Sequence, residues 1–458
     1  MEKIYKPKFH PTPDKGWIND PNGFCLYKGK LRLFAQHYPH STSWGPMHWL
    51  AFSFDDNLTY KDEGIALSPE RDYELPWGCF SGSALEIGGT LHLYYTGAME
   101  GKQVVCLAQS NDGLVFSKHS DNPIIDGDKL PEGYSIKDFR DPFAFYRHGY
   151  VYLLVGCKKM DNGCSLLLFR SKDGIDFSFF SVFADFHGFG SGMAECPGIV
   201  FPDASSDEAI LFYSPQSHKK APYHFQNKNH SVCQFGRVDF DSGVFVPEKE
   251  EEELDCGFDV YAPQPLNLGD GRLYLASWEA MWDRDYPMAT DGYANSLQIR
   301  EIASDNGVLR QFPPKPILDE FKKETRFAPF ALKGESKSFE VDQGDNSAYR
   351  VIAIKLKGKG DFLLEVDGYV LSYSASTSEL TFGRSRSAYL EEKDGLRRTI
   401  YLGEQGLSDL LLLIDGYCYD FYLNDGEIAF SSQYYPTHRS LCFQGEVEVA
   451  SISLKSLG

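Results

Sequence analysis

Apolar and polar residues alternate over short stretches along most of the chain. Leu31-Arg32-Leu33-Phe34-Ala35, Thr90-Leu91-His92-Leu93-Tyr94-Tyr95 and Tyr150-Val151-Tyr152-Leu153-Leu154-Val155 are each bounded by turn formers, the pattern of strands rather than helices. Almost no convincing amphipathic helical period occurs in the first 300 residues. A repeat overlies this pattern. Ser53-Phe54-Asp55-Asp56-Asn57-Leu58-Thr59-Tyr60 returns as Ser110-Asn111-Asp112-Gly113-Leu114-Val115-Phe116 and again as Ser171-Lys172-Asp173-Gly174-Ile175-Asp176-Phe177. Each copy is Ser-x-Asp, a turn and an aromatic, after an apolar run such as Val104-Val105-Cys106-Leu107-Ala108, and the leading serines stand 57 and 61 residues apart. A period near 60 made of short strands and turns predicts radially arranged four-stranded sheets, so that residues 1–310 hold the five blades of a β-propeller.

The pattern changes at Gln311-Phe312-Pro313-Pro314-Lys315-Pro316 and the charged run Asp319 to Glu324, so residues 311–325 read as a linker. Beyond it come shorter alternating runs, Tyr349 to Ile354 and Asp361 to Val366, with hairpin signals such as Asn424-Asp425-Gly426. Residues 326–458 therefore predict a β-sandwich, a packing or assembly module through which a homo-oligomer could form. The fold class expected is all-β, a five-bladed propeller followed by a C-terminal sandwich.

Composition narrows the function. The chain of 458 residues is 42% hydrophobic and 15% aromatic, with 42 glycines, which suits pleated strands joined by many turns. A net charge of −20 excludes the basic footprint that nucleic acid or an anionic membrane requires. Met1 to His10 lacks an apolar core, so no signal peptide is expected, and no apolar run is long enough to span a membrane. The ten cysteines are scattered without CxxC or paired His spacing, which reads as free thiols in a reducing cytoplasm and predicts no metal or other cofactor.

Three carboxylates carry the candidate chemistry. Asp20 lies in Trp17-Ile18-Asn19-Asp20-Pro21-Asn22-Gly23, Asp141 in Phe139-Arg140-Asp141-Pro142-Phe143, and Glu195 in Met193-Ala194-Glu195-Cys196-Pro197-Gly198. A following proline stiffens the backbone at both aspartates. Singly, each has an ordinary explanation: a solvated turn, a surface ion pair with Arg140, an exposed loop glutamate. Their separations of 121 and 54 residues, close to two blades and one blade, would instead place all three at equivalent inner positions around one funnel. Carboxylates converging in a pocket are what glycosidic bond cleavage requires, one as acid and one as nucleophile or base.

These motifs resemble glycoside hydrolase family 32, the invertase, sucrose-6-phosphate hydrolase and fructanase family. Trp17 to Gly23 is similar to its WMNDPNG box with Ile for Met, Arg140-Asp141-Pro142 to its RDP box, and Glu195-Cys196 to its EC box. Gln36-His37, Trp44 to Trp49, Phe80 to Ala84, Phe258 to Gln264 and, in the C-terminal part, Asp420 to Gly426 extend the resemblance over nearly the whole chain. It implies a retaining β-fructofuranosidase acting on sucrose, sucrose 6-phosphate or short fructo-oligosaccharides. Asp20 would be the nucleophile, Glu195 the acid/base, and Asp141 the group that holds fructose hydroxyls and stabilises the transition state. Trp17, Asn19, Gln36, Trp44, Phe80, Ser81, Arg140, Tyr261 and Trp278 fall where the family lines its fructose pocket. Cys196 is expected to pack rather than react.

The chain departs from the family around Glu279 to Asn295 and at Ser296 to Ile302, where Arg300-Glu301 is kept without the usual proline, which bears on the leaving group. Lys158-Lys159 and Lys219-Lys220 are the scattered cations available to a phosphate. A fructosyltransferase differs only in using a sugar acceptor. A non-catalytic fructan-binding protein would be expected to lack one of the carboxylates, and another propeller glycosidase to lack the boxes.

Overall fold

The computed structural model describes residues 4–186, 192–216, 220–342, 344–358, 360–389 and 395–458. Lys219 lies outside the described residues. The architecture is a five-bladed β-propeller followed by a β-sandwich.

Five antiparallel sheets form the propeller, and their innermost strands are Gly16–Tyr27, Pro76–Ile87, Tyr134–Arg147, Ala194–Val200 and Tyr261–Asn267. These strands pack side by side in chain order, and the fifth returns against the first. A segment of the fifth blade closes the ring. Tyr293–Ala294 pairs in parallel with Gly16 and Trp17, and Asn295 Nδ2 donates to the Ile18 carbonyl at 3.0 Å.

The strand pattern follows from each blade lying between two others. Successive side chains of a strand point to opposite faces, so an uninterrupted apolar run divides between two cores. Val104, Cys106 and Ala108 pack with Trp49 and Tyr27 of the first blade, whereas Val105 and Leu107 pack with Phe139 and Leu153 of the third.

The repeated Ser-x-Asp motif builds the turn between the third and fourth strands of a blade. Asp112 Oδ1 accepts from the amides of Leu114 and Val115 at 2.9 and 2.8 Å, and Asp173 Oδ1 does the same for Ile175 and Asp176 at 2.9 and 3.0 Å. The glycine of the turn docks on the preceding blade. Gly174 has φ +76°, its carbonyl accepts from Tyr94 Oη at 2.8 Å, and an added Cβ would meet Ile87 Cδ1 at 2.5 Å.

After the last propeller strand, Val308–Phe312, the helix Lys315–Glu320 leads to Lys323–Phe327, which pairs with the terminal strand Leu441–Ser456. That 16-residue strand joins both layers of the sandwich, pairing with Phe362–Val366 near its start and with Tyr349–Lys357 towards its end. Phe382 and Phe430 meet across the layers with ring centroids 3.7 Å apart. The N-terminal segment bridges both domains: the amides of Lys8, Phe9 and His10 all donate to the Asp415 carboxylate in the sandwich, at 2.8, 2.8 and 3.0 Å. Among the described residues, no helix is long and apolar enough to cross a membrane.

Candidate active site

Every innermost strand is bulged at one end of the funnel. The pairing skips between Ile18 and Pro21, Phe80 and Gly82, Arg140 and Phe143, Glu195 and Gly198, and Tyr261 and Gln264. A bulge inserts one extra residue and re-aims its neighbours. In the third, fourth and fifth blades the first bulged residues, Asp141, Cys196 and Ala262, take left-handed φ of +65°, +48° and +56°. The register therefore aligns Asp141 with Cys196, and Glu195 with Arg140 and Tyr261. The expectation that all three carboxylates occupy equivalent positions is corrected: they stand at three successive register positions. Glu195 precedes the bulge of its strand, Asp141 is the first bulged residue of its own, and Asp20 is the second, after Asn19.

The bulges bring the three acids to a cleft of about 690 Å³. Asp20, only 6% exposed, accepts through Oδ2 from Ser81 Oγ at 2.7 Å and Gln36 Nε2 at 3.0 Å, whereas its Oδ1 has no hydrogen-bond partner. Gln36 Nε2 also bonds Ser81 Oγ, which fixes both groups. Burial raises the Asp20 pKa; the Ser81 hydrogen bond opposes the rise and the charge of Glu195 adds to it. Asp141 Oδ2 accepts from the Cys196 amide at 2.9 Å. Burial drives its pKa up to about 7, with Arg140 lowering it and Glu195 raising it. Glu195 is held through both oxygens: Arg140 Nε and Nη2 donate to Oε1 at 3.2 and 2.8 Å, and Tyr261 Oη donates to Oε2 at 2.6 Å. Cys196 Sγ lies between the aspartates, 3.6 Å from Asp20 Oδ2 and 3.7 Å from Asp141 Oδ2, and burial pushes its thiol pKa well up. This is a packed, protonated thiol.

Asn19, Gln36, Trp44, Phe80, Arg140 and Tyr261 line the cleft beside the three acids. Ser81 stands behind Asp20. Trp17 and Trp278 do not line it. Trp278 is 0% exposed, and its ring meets that of Trp17 at 5.9 Å and that of Trp282 at 4.8 Å. Trp282, 37% exposed, is the ring that reaches the cleft. On the other rim Trp44 packs edge-on against Phe80 at 6.0 Å.

Gln103, Asp138, Gln216, Lys228 and Asn229 also line the cleft and were not singled out from sequence. Asp138 had a signal: it lies two residues before Arg140 on the same strand, hence on the same face. Lys158 Nζ stands 3.8 Å from Asp138 Oδ2, and Lys159 is paired with Asp185 away from the cleft.

Comparison with known proteins places this arrangement. The model of the glycosyl hydrolases family 32 N-terminal domain matches residues 10–313. The chain belongs to glycoside hydrolase family 32. Sucrose-6-phosphate hydrolase of Escherichia coli is 36% identical over 326 residues, which is 68% of this chain and 64% of that relative. Raffinose invertase of Escherichia coli is 34% identical over 72% of this chain and 68% of the relative. Among solved structures, the sucrose-6-phosphate hydrolase from Lactobacillus gasseri superposes with a TM-score of 0.87 at 26% identity, over 99% of this chain and 93% of that one. A Bombyx mori family 32 β-fructofuranosidase gives 0.83 at 27%, with the same coverage.

Proposed function

We propose that this family 32 enzyme is a retaining β-fructofuranosidase that releases terminal β-D-fructofuranose from a short sugar. The observation that carries the reading is the convergence of Asp20, Asp141 and Glu195 in one cleft. Asp20, anchored through Oδ2 by Ser81 and Gln36, is the carboxylate that attacks the anomeric carbon. Glu195, bracketed by Arg140 and Tyr261, protonates the departing oxygen, then takes a proton from the water that frees the enzyme. Asp141 accepts from fructose hydroxyls next to the developing positive charge. The ten free thiols fit action in a reducing compartment on an imported sugar.

The relatives include sucrose-6-phosphate hydrolases, and the departing sugar would face the outer part of the cleft. There Lys228, beside Gln216 and Asn229, supplies a cation for a phosphate on that sugar. Fructose release from sucrose, sucrose 6-phosphate, 1-kestose and inulin, compared with Asp20→Ala, tests the activity. A dead variant and initial release of β-fructofuranose, read by NMR, are expected; activity surviving in Asp20→Ala, or an inverted product, sinks the mechanism. Lys228→Met should raise KM for sucrose 6-phosphate roughly tenfold, about 1.4 kcal/mol, and leave KM for sucrose unchanged. Equal effects on both sugars would remove the phosphate assignment.

A further inference from the structure

Away from the cleft, where the N-terminal segment, the fifth blade and the sandwich meet, four side chains of metal-ligating type converge in the interior. His10, Glu279, Cys418 and Asp420 are 3%, 0%, 0% and 1% exposed. His10 Nε2 lies 2.9 Å from Asp420 Oδ2 and 3.2 Å from Glu279 Oε2, and donor atoms of His10, Glu279 and Cys418 all lie within 4.8 Å of one another. Neither oxygen of the fully buried Glu279 makes a well-formed hydrogen bond, and the groups facing them are His10 Nε2 and the Cys418 thiol. We propose that these four residues bind a divalent cation of the zinc type that ties the two domains together.

The surroundings are those of a ligand set. His10 Nδ1 faces Asp415 Oδ2 at 2.7 Å, and that carboxylate already accepts three backbone amides. An acceptor so occupied keeps a proton on Nδ1, while Nε2, which shares a hydrogen with Asp420 Oδ2 at 2.9 Å in the metal-free state, would give that proton up to ligate an ion, the carboxylate–histidine–metal relay of zinc sites. Gln298 Nε2 and Ser431 Oγ hold Asp420 by Oδ1, leaving Oδ2 for the centre. Gln433 Nε2 donates to the Glu279 carbonyl at 2.6 Å and fixes its backbone. Three carboxylates, Asp415, Glu279 and Asp420, surround one imidazole, whose proton offsets at most one of their charges, and a divalent ion in its place supplies the rest. An imidazole, a thiolate and two carboxylates suit zinc better than calcium or magnesium, which favour all-oxygen shells. Bond lengths of about 2.0 Å to N and O and 2.3 Å to S set neighbouring ligand atoms about 3.3–3.6 Å apart in a tetrahedron, so His10 Nε2 would move a few tenths of an ångström away from Asp420 Oδ2 and Glu279 Oε2 to admit the ion. The ligands come from positions 10, 279, 418 and 420, so no local spacing announces them.

The test uses the full chain, purified without chelator or polyhistidine tag. Elemental analysis should find about one zinc per chain, and stripping with chelator should lower Tm by several degrees, restored by Zn²⁺. Stripped protein given Co²⁺ should show tetrahedral d–d bands and a thiolate-to-cobalt band in the near ultraviolet. Cys418→Ser, with folding checked by circular dichroism, should lose the thiolate band. Protein that carries no metal, shows no cobalt spectrum and melts alike with chelator and with Zn²⁺ overturns the site. So does a thiolate band that persists in folded Cys418→Ser. If that variant does not fold, metal content and the chelator response of the parent protein decide the question.

Discussion

At the scale of single residues, the site separates three carboxylates by what surrounds each. Asp20, anchored through Oδ2, is the proposed nucleophile, so Asp20→Ala should reduce kcat by at least about 10⁴-fold. In the proposed mechanism Glu195 works through proton transfer alone, so a small anion should replace its second role. Glu195→Ala should regain turnover with azide on a substrate whose leaving group needs no protonation, giving β-fructosyl azide; no azide product would argue against Glu195 as acid/base. Asp141 offers a pH test. Its folded pKa of about 7 stands above the ordinary aspartate value, so the native state binds that proton more tightly than the unfolded chain. Its contribution to stability is then fully present below about pH 4, and is lost as pH rises through about 7. Asp141→Asn should therefore melt a few degrees above the parent at pH 8, while losing activity, and the gap should close at pH 4. A variant melting at or below the parent at pH 8 would mean that the buried charge is no burden.

At the scale of elements, the bulges and the interblade turns position the site. Gly174 and Gly269 both sit in turns at nearly the same φ, +76° and +79°, but only Gly174 presses on a neighbouring blade, since nothing lies within 4 Å of a Cβ at Gly269. Gly174→Ala should cost about 1–3 kcal/mol more than Gly269→Ala, the range for overpacking, as read by denaturant midpoints. Equal losses would leave backbone strain as the whole effect. The same turns made the fold legible in sequence, because Ser-x-Asp with its downstream amides is local chemistry repeated at blade spacing. The prolines at Asp20 and Asp141 made the acids legible for a similar reason. What stayed hidden depends on contacts between distant segments. Trp278 was expected in the cleft, but the excursion that follows it folds Trp282 over its ring, and nothing local marks which indole is covered. Gln103, Gln216, Lys228 and Asn229 reach the cleft only because whole blades converge there. The three acids were read at one register although they stand at successive positions, since a bulge shifts side-chain direction without leaving a composition signal.

At the scale of the molecule, the interface between propeller and sandwich joins apolar packing with a buried polar cluster, and that cluster connects to Glu195. Asp259, 0% exposed and two residues before Tyr261, accepts from Tyr286 Oη at 2.7 Å, from Arg384 Nη1 of the sandwich at 3.1 Å and from the Gln433 amide at 2.9 Å, with Arg284 also against it. Burial alone would raise its pKa, yet Arg284 and Arg384 together hold it below the usual carboxylate value. Its contribution is therefore present above the unfolded pKa of about 4, and is lost as pH falls through the lower folded value. Asp259→Asn keeps the shape and removes the charge, leaving both arginines without their shared carboxylate, which should cost about 3–5 kcal/mol at pH 7 and flatten the stability profile below pH 4. Because the carboxylate is gripped from both domains, calorimetry should show one transition that shifts as a whole. Two transitions, with only one displaced, would mean that the domains are stabilised separately. Loosening this joint also slackens the strand end that carries Tyr261, whose hydroxyl holds Glu195 at 2.6 Å. Fructose release by Asp259→Asn should thus fall in kcat more than it rises in KM, although the substitution lies in the joint between domains rather than in the cleft.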